Sequence, residues 1–429
     1  MLCMLAFDGL SEADLPSLVA HLPHSKKLID KLAVLQLSLS APAAQLVWGE
    51  LLTGKSVFYN GCAGYAHPVS SLNNLAVFSE PDFLVKPALI EVEPGSRAVS
   101  INVPILRPDD ESRVWLSDGS LSTNKSVSPA SLRKEQIFHD YQPRPYKSHA
   151  GAMTLPQSQL VERCLEVEMD RLACAVSLFE RKDWSKFVYR LTVFDQLFHL
   201  LGLRYLAADS LAVFPALQKF LTALDEAVVL FLKYQPVNFA LVSCYSHQSC
   251  KSTLNLNLVL ESGGFLELAS EEELARSRSD RSRVAAALWQ PSTHYFKTLE
   301  GCLRTSSTVA ASPVSGCVYV NKSSVFEDGI VSDAEYKKVR TAVADYLTDF
   351  LMTRFGSRFS IAVHPEDVNK SSAPDLIVKI DGVEFENLSR AAVPVMPLTT
   401  HSATGFALIS KKSERNNMNA PDLASLLIA

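Results

Sequence analysis

The clearest chemical signal in the sequence is a carboxylate and an imidazole four residues apart, Asp195 and His199. They follow residues 187–194, an apolar run that is typical of a short buried strand, so the pair falls at a strand-to-helix turn. At this spacing both side chains can reach the same cation. One oxygen and one nitrogen ligand suit zinc, and we therefore predict that these two residues bind a metal ion.

Two more candidate residues lie near the start of the chain. Asp8 directly follows a predicted first strand, Leu2–Phe7, and catalytic groups gather at that edge of open α/β sheets. Ser40 precedes a predicted helix, whose N-terminal field favours an alkoxide and an incoming phosphate. Ser40 is thus either a nucleophile or an ordinary helix N-cap, and Ser38 is a weaker candidate for the same role.

These residues fall within a series of short motifs that occur in order along nearly the whole chain. The series resembles the phosphodiesterase and nucleotide pyrophosphatase branch of the alkaline phosphatase superfamily. It comprises Asp8-Gly9, Ser40-Ala41-Pro42 with Trp48, Leu51-Leu52-Thr53-Gly54, residues 60–65, Asp195 with His199, residues 316–321 with residues 326–329, and His401 with Gly405. The resemblance implies an alkaline-phosphatase-like α/β fold and a hydrolase or transferase acting on a phosphate or sulfate ester, with a diester favoured.

The resemblance also implies a metal site. In this family two zinc ions flank the phosphate, and a hydroxyl group attacks phosphorus to form a covalent phosphoryl-enzyme that water hydrolyses. Carried over by position, Asp8 and Ser40 belong to the first metal site, with Ser40 as the nucleophile. Asp195, His199 and His401 belong to the second. The expected cofactor is zinc, as one or two ions, with manganese as an alternative.

One motif departs from the family pattern. Where the family has Ser-Asp-His-Gly, this chain has Ser243-Cys244-Tyr245-Ser246, with His247 next. Either the first metal site is lost, or Cys244 and His247 replace the missing pair, because thiolate and imidazole are both competent zinc ligands. A third alternative is a catalytically degenerate family member that acts as a binding or partner protein. Cys244 can equally be a small buried residue, and His247 a histidine of a surface loop.

Residues 49–56 match the phosphate-binding loop pattern of nucleotide triphosphatases at every fixed position. That loop requires a strand before it and a helix after it. Here residues 42–52 are helix-like, Gly54 falls where a helix C-terminal cap belongs, and residues 57–64 contain several glycine and asparagine breakers. The context is reversed, which disfavours a nucleotide triphosphatase.

Strand-like and helix-like segments alternate along the chain, which predicts a mostly parallel central sheet with helices on both faces. Further strands are predicted at residues 100–105, 237–243, 316–321 and 375–380, and amphipathic helices at residues 160–181 and 332–352. We expect a single domain over residues 1–429, with residues 106–158 and 266–315 as insertions or cap segments because periodicity is lost there.

Composition narrows the class of partner. The net charge is −5 and the pI about 6.1, without the clustered basic residues of a nucleic-acid-binding protein. No apolar run approaches the roughly 18–20 residues that span a bilayer, and Met1–Phe7 resembles a first strand more than a signal peptide. The eight cysteines form no CxxC pair, which favours reduced thiols and the cytoplasm. We expect a small ester substrate, no nucleic acid polymer and no membrane; the oligomeric state is left open.

Overall fold

A computed structural model gives the architecture of the chain. It describes residues 1–39, 44–64, 66–107, 113–119, 126–139, 141–143, 155–202, 206, 208–234, 238–268, 303–314, 316–365, 373–385, 399–410 and 416–428. The predicted insertions at 106–158 and 266–315 lie partly outside these residues, and Ser40 lies wholly outside them.

Nineteen strands occur in the described residues. They are β1 Leu2–Phe7, β2 Ala33–Ser38, β3 Ala66–Ser71, β4 Asn74–Val77, β5 Ala98–Ile101, β6 Arg113–Leu116, β7 Val127–Ser128, β8 Lys186–Leu191, β9 Asn238–Ser243, β10 Ser246–Ser249, β11 Ser252–Leu254, β12 Ala310–Val314, β13 Cys317–Val320, β14 Phe359–Val363, β15 Leu376–Ile380, β16 Val383–Phe385, β17 Thr399–Ser402, β18 Thr404–Ile409 and β19 Asn417–Asn419.

The α-helices of the described residues number twelve. They are α1 Leu15–Ala20, α2 Lys26–Ile29, α3 Ala44–Thr53, α4 Val57–Asn60, α5 Gln136–His139, α6 Gln157–Glu180, α7 Val193–Leu201, α8 Ala208–Val213, α9 Pro215–Lys233, α10 Leu256–Ser262, α11 Asp333–Phe355 and α12 Ala420–Ile428. Among these residues no helix combines the length and apolar character needed to cross a bilayer.

The largest sheet in the described residues, called here the main sheet, has the order β19-β2-β18-β9-β1-β8-β5-β6-β7. Strands β9, β1, β8, β5 and β6 run parallel, whereas β18 and β7 run antiparallel to their neighbours. The predicted mostly parallel central sheet is therefore confirmed. The carboxyl ends of β1, β8 and β9 meet at one edge, where ligand-binding groups collect in sheets of this kind.

Strand β1 shows why helices cover both faces of the main sheet. Cys3, Leu5 and Phe7 pack into one hydrophobic cluster with α6, α7 and α9, and the alternate residues Met4 and Ala6 pack into another with α3 and α12. Successive side chains of a strand point to opposite faces, so a continuous apolar run is buried on both sides. The helices that carry or support the candidate site are anchored by these two clusters.

A smaller four-stranded sheet, with the order β12-β13-β15-β14, packs against α11. Helix α11 begins close to the predicted residue 332, where Ser332 caps it by accepting a hydrogen bond from the Glu335 amide. The predicted strand over residues 100–105 ends earlier, at Ile101, because Asn102 and Ile105 have positive φ angles of 58° and 75°.

The order of elements around residues 49–56 agrees with the argument against a nucleotide-binding loop. Helix α3 precedes the glycine-lysine pair, and Gly54 follows its last residue with a φ of +66°. Helix α4, the segment after the pair, covers only four residues. The N-terminus of a long helix therefore does not follow the motif.

Candidate metal centre

Three of the candidate residues follow neighbouring strands of the main sheet. Asp8 comes directly after β1, Asp195 lies in the first turn of α7 after β8, and His247 lies in β10 just after β9. Because β8, β1 and β9 are adjacent and parallel, their carboxyl ends bring residues far apart in sequence to one edge.

His401 reaches the same edge through a two-stranded antiparallel ribbon. Strand β10 pairs with β17, and His247 lies directly opposite His401 in this pairing. Directly opposite residues of an antiparallel pair project to the same side. Gly405 lets the next strand, β18, approach β9 closely, since a Cβ atom there would lie 2.2 Å from the Ser243 carbonyl oxygen.

Helix α7 presents Asp195 and His199 one turn apart, on the same face. The turn at Gly9 packs against the start of this helix. A Cβ atom at Gly9, which has a φ of +93°, would lie 2.7 Å from the Asp195 Cα and 3.1 Å from the His247 Nε2. Glycine is therefore required beside Asp8 for close contact between the two segments.

The four side chains converge on one carboxylate oxygen. Asp195 Oδ1 lies 2.8 Å from His247 Nε2, 3.2 Å from His401 Nε2 and 3.6 Å from His199 Nε2. One ligand atom from each of the four residues lies within 4.8 Å of every other. We call these four residues the Asp195 cluster. It brings together the three residues assigned to the second metal site and adds His247.

Neighbouring aromatic rings hold the imidazoles in place. The Phe198 ring stacks on His247 with the centroids 4.4 Å apart, and the Tyr245 ring lies 4.5 Å from His401. Both aromatic side chains are buried. The residue that stands where the family has histidine, Tyr245, thus packs against the cluster.

The electrostatics of the cluster favour an ionised carboxylate. Burial opposes charge on Asp195, but the hydrogen bonds from His247 and His401 and the nearby His199 outweigh it and hold the Asp195 pKa well below its usual range. Burial lowers the pKa of both His199 and His247, which favours neutral rings. Burial also disfavours the charged form of His401, yet the bond to Asp195 raises its pKa on balance.

The Asp195 cluster fits a metal ion. One ionised carboxylate and three imidazoles form an oxygen-and-nitrogen donor set, and such a set is typical of zinc. Zinc requires the neutral imidazole, which is the form that burial favours at His199 and His247.

Asp8 has surroundings of a different kind. Its Oδ2 accepts hydrogen bonds from Arg190 Nε at 2.5 Å and from Trp48 Nε1 at 3.0 Å. Guanidinium and indole groups donate hydrogen bonds and have no lone pair for a metal. Burial raises the pKa of the Cys244 thiol well above its usual value, and the neighbouring Asp8 carboxylate raises it further, so the thiol stays protonated. Asp8 Oδ2 is therefore occupied by hydrogen-bond donors, and the assignment of Asp8 and Cys244 to a metal site stays a prediction.

Two further candidates, Cys244 and Ser38, do not belong to the Asp195 cluster. Cys244 is fully buried and lies outside the set of described residues that could share one ion. Ser38 is exposed at the end of β2, where its hydroxyl bonds Asn417. Ser40 lies outside the described residues, so its role as nucleophile stays a prediction.

Sequence reasoning missed Arg190. A signal for it exists, because Arg190 is a charged residue inside the apolar strand β8, and a buried arginine requires an anionic partner. The partner, Asp8, lies 182 residues away, and the sequence alone does not identify it.

Comparison with known proteins supports the fold. No protein-family model and no curated protein matches the sequence. Among solved structures, murine ectonucleotide pyrophosphatase/phosphodiesterase 5 is 12% identical, with 100% of this chain and 93% of that chain covered and a TM-score of 0.52.

Two other solved structures are similar to this chain over nearly its whole length. Phosphonoacetate hydrolase from Sinorhizobium meliloti 1021 is 12% identical, with 100% and 94% of the two chains covered and a TM-score of 0.58. The alkaline phosphatase PafA is 12% identical, with 99% and 95% covered and a TM-score of 0.53. The chain described here therefore has an alkaline-phosphatase-like α/β fold, as these three structures do.

Proposed function

We propose that this protein is a metal-dependent hydrolase or transferase that acts on a small phosphate ester, with a diester favoured over a monoester and a sulfate ester as an alternative. One observation carries the proposal: Asp195, His199, His247 and His401 converge within 4.8 Å of one another. The names of the similar structures, a pyrophosphatase/phosphodiesterase, a phosphonoacetate hydrolase and a phosphatase, all refer to chemistry at phosphorus.

The proposed roles follow from the chemistry of the residues. Asp195 and the three imidazoles hold one ion, for which zinc is the expected choice and manganese an alternative. A bound ion of this kind polarises a phosphoryl oxygen. Phe198 and Tyr245 keep His247 and His401 oriented toward Asp195 and exclude water from one side of the cluster.

Ser40 is proposed as the nucleophile. It follows β2, whose carboxyl end lies at the same edge of the main sheet as that of β9, because β18 runs antiparallel to both strands. In this proposal the Ser40 oxygen bonds to phosphorus as the leaving-group oxygen departs. Water then hydrolyses the phosphorylated serine.

The test is hydrolysis of chromogenic phosphate diesters, phosphate monoesters and sulfate esters by the purified full chain in the presence of zinc or manganese. We expect Asp195→Ala to lower turnover by at least roughly a hundredfold, since even supporting residues of metal sites cost ten- to a hundredfold. Asp349→Ala, at an exposed aspartate of α11, is the matched control and should keep full activity. Equal activity in Asp195→Ala and the control would refute the assignment.

A second candidate function is a degenerate family member that binds a ligand or partner without hydrolysis. The pairing of Asp8 with Arg190 favours it, because the aspartate assigned to the first metal site binds a guanidinium group. Metal analysis separates the two candidates. A bound ion favours the enzyme, and a chain without metal after zinc loading favours the binding protein.

We further propose a reducing compartment, the cytoplasm. The seven described cysteines are all buried, and burial raises the pKa of the thiols of Cys3, Cys164, Cys174 and Cys317. Protonated buried thiols react slowly and fit a cell interior. Thiol labelling of the denatured protein, taken directly from cells, should count eight reduced cysteines.

The pI of about 6.1 supports a partner other than a nucleic acid polymer.

A further inference from the structure

The surroundings of Asp8 suggest what replaces the first ion. We infer that the Arg190 guanidinium takes the place beside Asp8 of the first ion that the family resemblance implies, so that this chain binds one divalent ion next to a built-in cation. This inference rests on the proposed function and deepens it, because it concerns the charge that accompanies the ion of the Asp195 cluster.

The Asp8–Arg190 pair is enclosed by protein. The Asp8 side chain is completely buried and that of Arg190 is 4% exposed. Arg190 Nε and Trp48 Nε1 both donate to the same carboxylate oxygen, and the guanidinium carbon lies 5.7 Å from the centre of a Trp48 ring. The indole thus bonds the carboxylate and also lies near the cation, which fixes both partners.

A metal ion would compete poorly for this carboxylate. Arginine stays charged under all ordinary conditions, so an ion beside Asp8 would lie next to a permanent positive charge. The groups that contact Asp8 Oδ2, a guanidinium and an indole, offer hydrogen-bond donors only. Among the described residues the neighbouring Cys244 thiol adds at most one ligand atom to Asp8, and two ligand atoms are too few to hold an ion.

The pair is also adjacent to the Asp195 cluster. Gly9, the next residue after Asp8, lies so close to this cluster that a Cβ atom there would be 2.7 Å from the Asp195 Cα and 3.1 Å from the His247 Nε2. The residue that follows Asp8 thus packs directly against the proposed ion site.

The experiment measures zinc per chain in the full-length protein. The purified protein is stripped with a chelator, loaded with excess zinc chloride, dialysed and analysed by elemental mass spectrometry. We expect one zinc per chain in the wild type and less than a tenth of that in Asp195→Asn. Two zinc per chain in the wild type would overturn the inference and leave the proposed function standing, whereas no zinc would overturn both.

Two variants test Asp8 directly. Asp8→Asn should still bind one zinc, and a fall in the number of ions would mean that Asp8 is a ligand. Because Asp8→Asn leaves a buried guanidinium without its anion and can unfold, the variant Asp8→Asn/Arg190→Met removes both charges together. We expect this double variant to keep one zinc with a dissociation constant within tenfold of the wild type. Loss of zinc from the folded double variant would overturn the inference.

Discussion

The Asp8–Arg190 pair allows a stability prediction with a defined magnitude. The two side chains are 0% and 4% exposed, and Arg190→Met removes the cation while the buried carboxylate remains. Removing one partner of a buried ion pair lowers the free energy of unfolding by about 3–5 kcal/mol, because the other charge stays buried without a partner. For a chain of 429 residues the entropy of unfolding is roughly 0.9 kcal/mol per degree, so the melting temperature should fall by about 3–6 °C.

A double-mutant cycle separates the pair from the general effect of each substitution. Asp8→Asn/Arg190→Met removes both charges of the pair and should be more stable than either single variant, with a coupling energy of about 2–4 kcal/mol. The exposed pair Arg97–Asp183, whose side chains are 40% and 44% exposed, is the matched control. Its coupling energy should stay below about 1 kcal/mol.

The assay is thermal unfolding of the metal-free protein followed by circular dichroism, with urea titration as a second measure of the free energy of unfolding. Metal-free protein is required because bound zinc stabilises the folded state. A coupling energy below about 1 kcal/mol for Asp8–Arg190, equal to that of the exposed control, would refute the argument that burial makes this pair strong.

Three further predictions concern the cluster and its support. Gly405→Ala should lower the free energy of unfolding by about 1–3 kcal/mol in urea titration, because its Cβ would lie 2.2 Å from a backbone oxygen; a stability equal to that of the wild type would contradict this. Zinc affinity should fall about tenfold per pH unit below the pKa of His401, which lies above the ordinary 6.5, because the ion binds only the neutral ring. A competition titration with a chelator between pH 6 and 8 measures this affinity, and an affinity independent of pH would contradict the prediction. Glu168→Gln should lower the free energy of unfolding by about 3–5 kcal/mol, because this buried carboxylate accepts hydrogen bonds from an arginine, a tyrosine and the turn before α7. Glu180→Gln, at an exposed position, should lower it by less than about 0.5 kcal/mol. Similar losses for the two variants in thermal unfolding would refute the role of the network.

Much of the fold could be predicted because local patterns specify local structure. The apolar run Leu2–Phe7 forms β1 with the predicted bounds, and Ser332 begins α11 as its capping pattern indicates. The predicted bounds of strands and helices were less accurate where no glycine or proline separates one element from the next. The strand predicted over residues 187–194 covers Lys186–Leu191, since the helix that carries Asp195 begins at Val193.

The site could be predicted from the sequence only where its residues lie close together in the chain. Asp195 and His199 lie one turn apart in a helix, so their shared direction follows from helical geometry alone. His401 was assigned by the resemblance to a family. The part played by His247 was open, because its direction depends on how a short strand pairs with residues more than 150 positions away.

The sequence by itself determined the α/β class, the strand-end positions of Asp8 and Asp195, and the reversed context of the phosphate-loop motif, since each depends on residues close together in the chain. Only the tertiary structure decided which candidate residues meet. Strand pairing places His247 opposite His401, and the adjacency of β1 and β8 brings Arg190 to Asp8. Contacts of this kind depend on register and burial between distant segments, and no local pattern of residues encodes them.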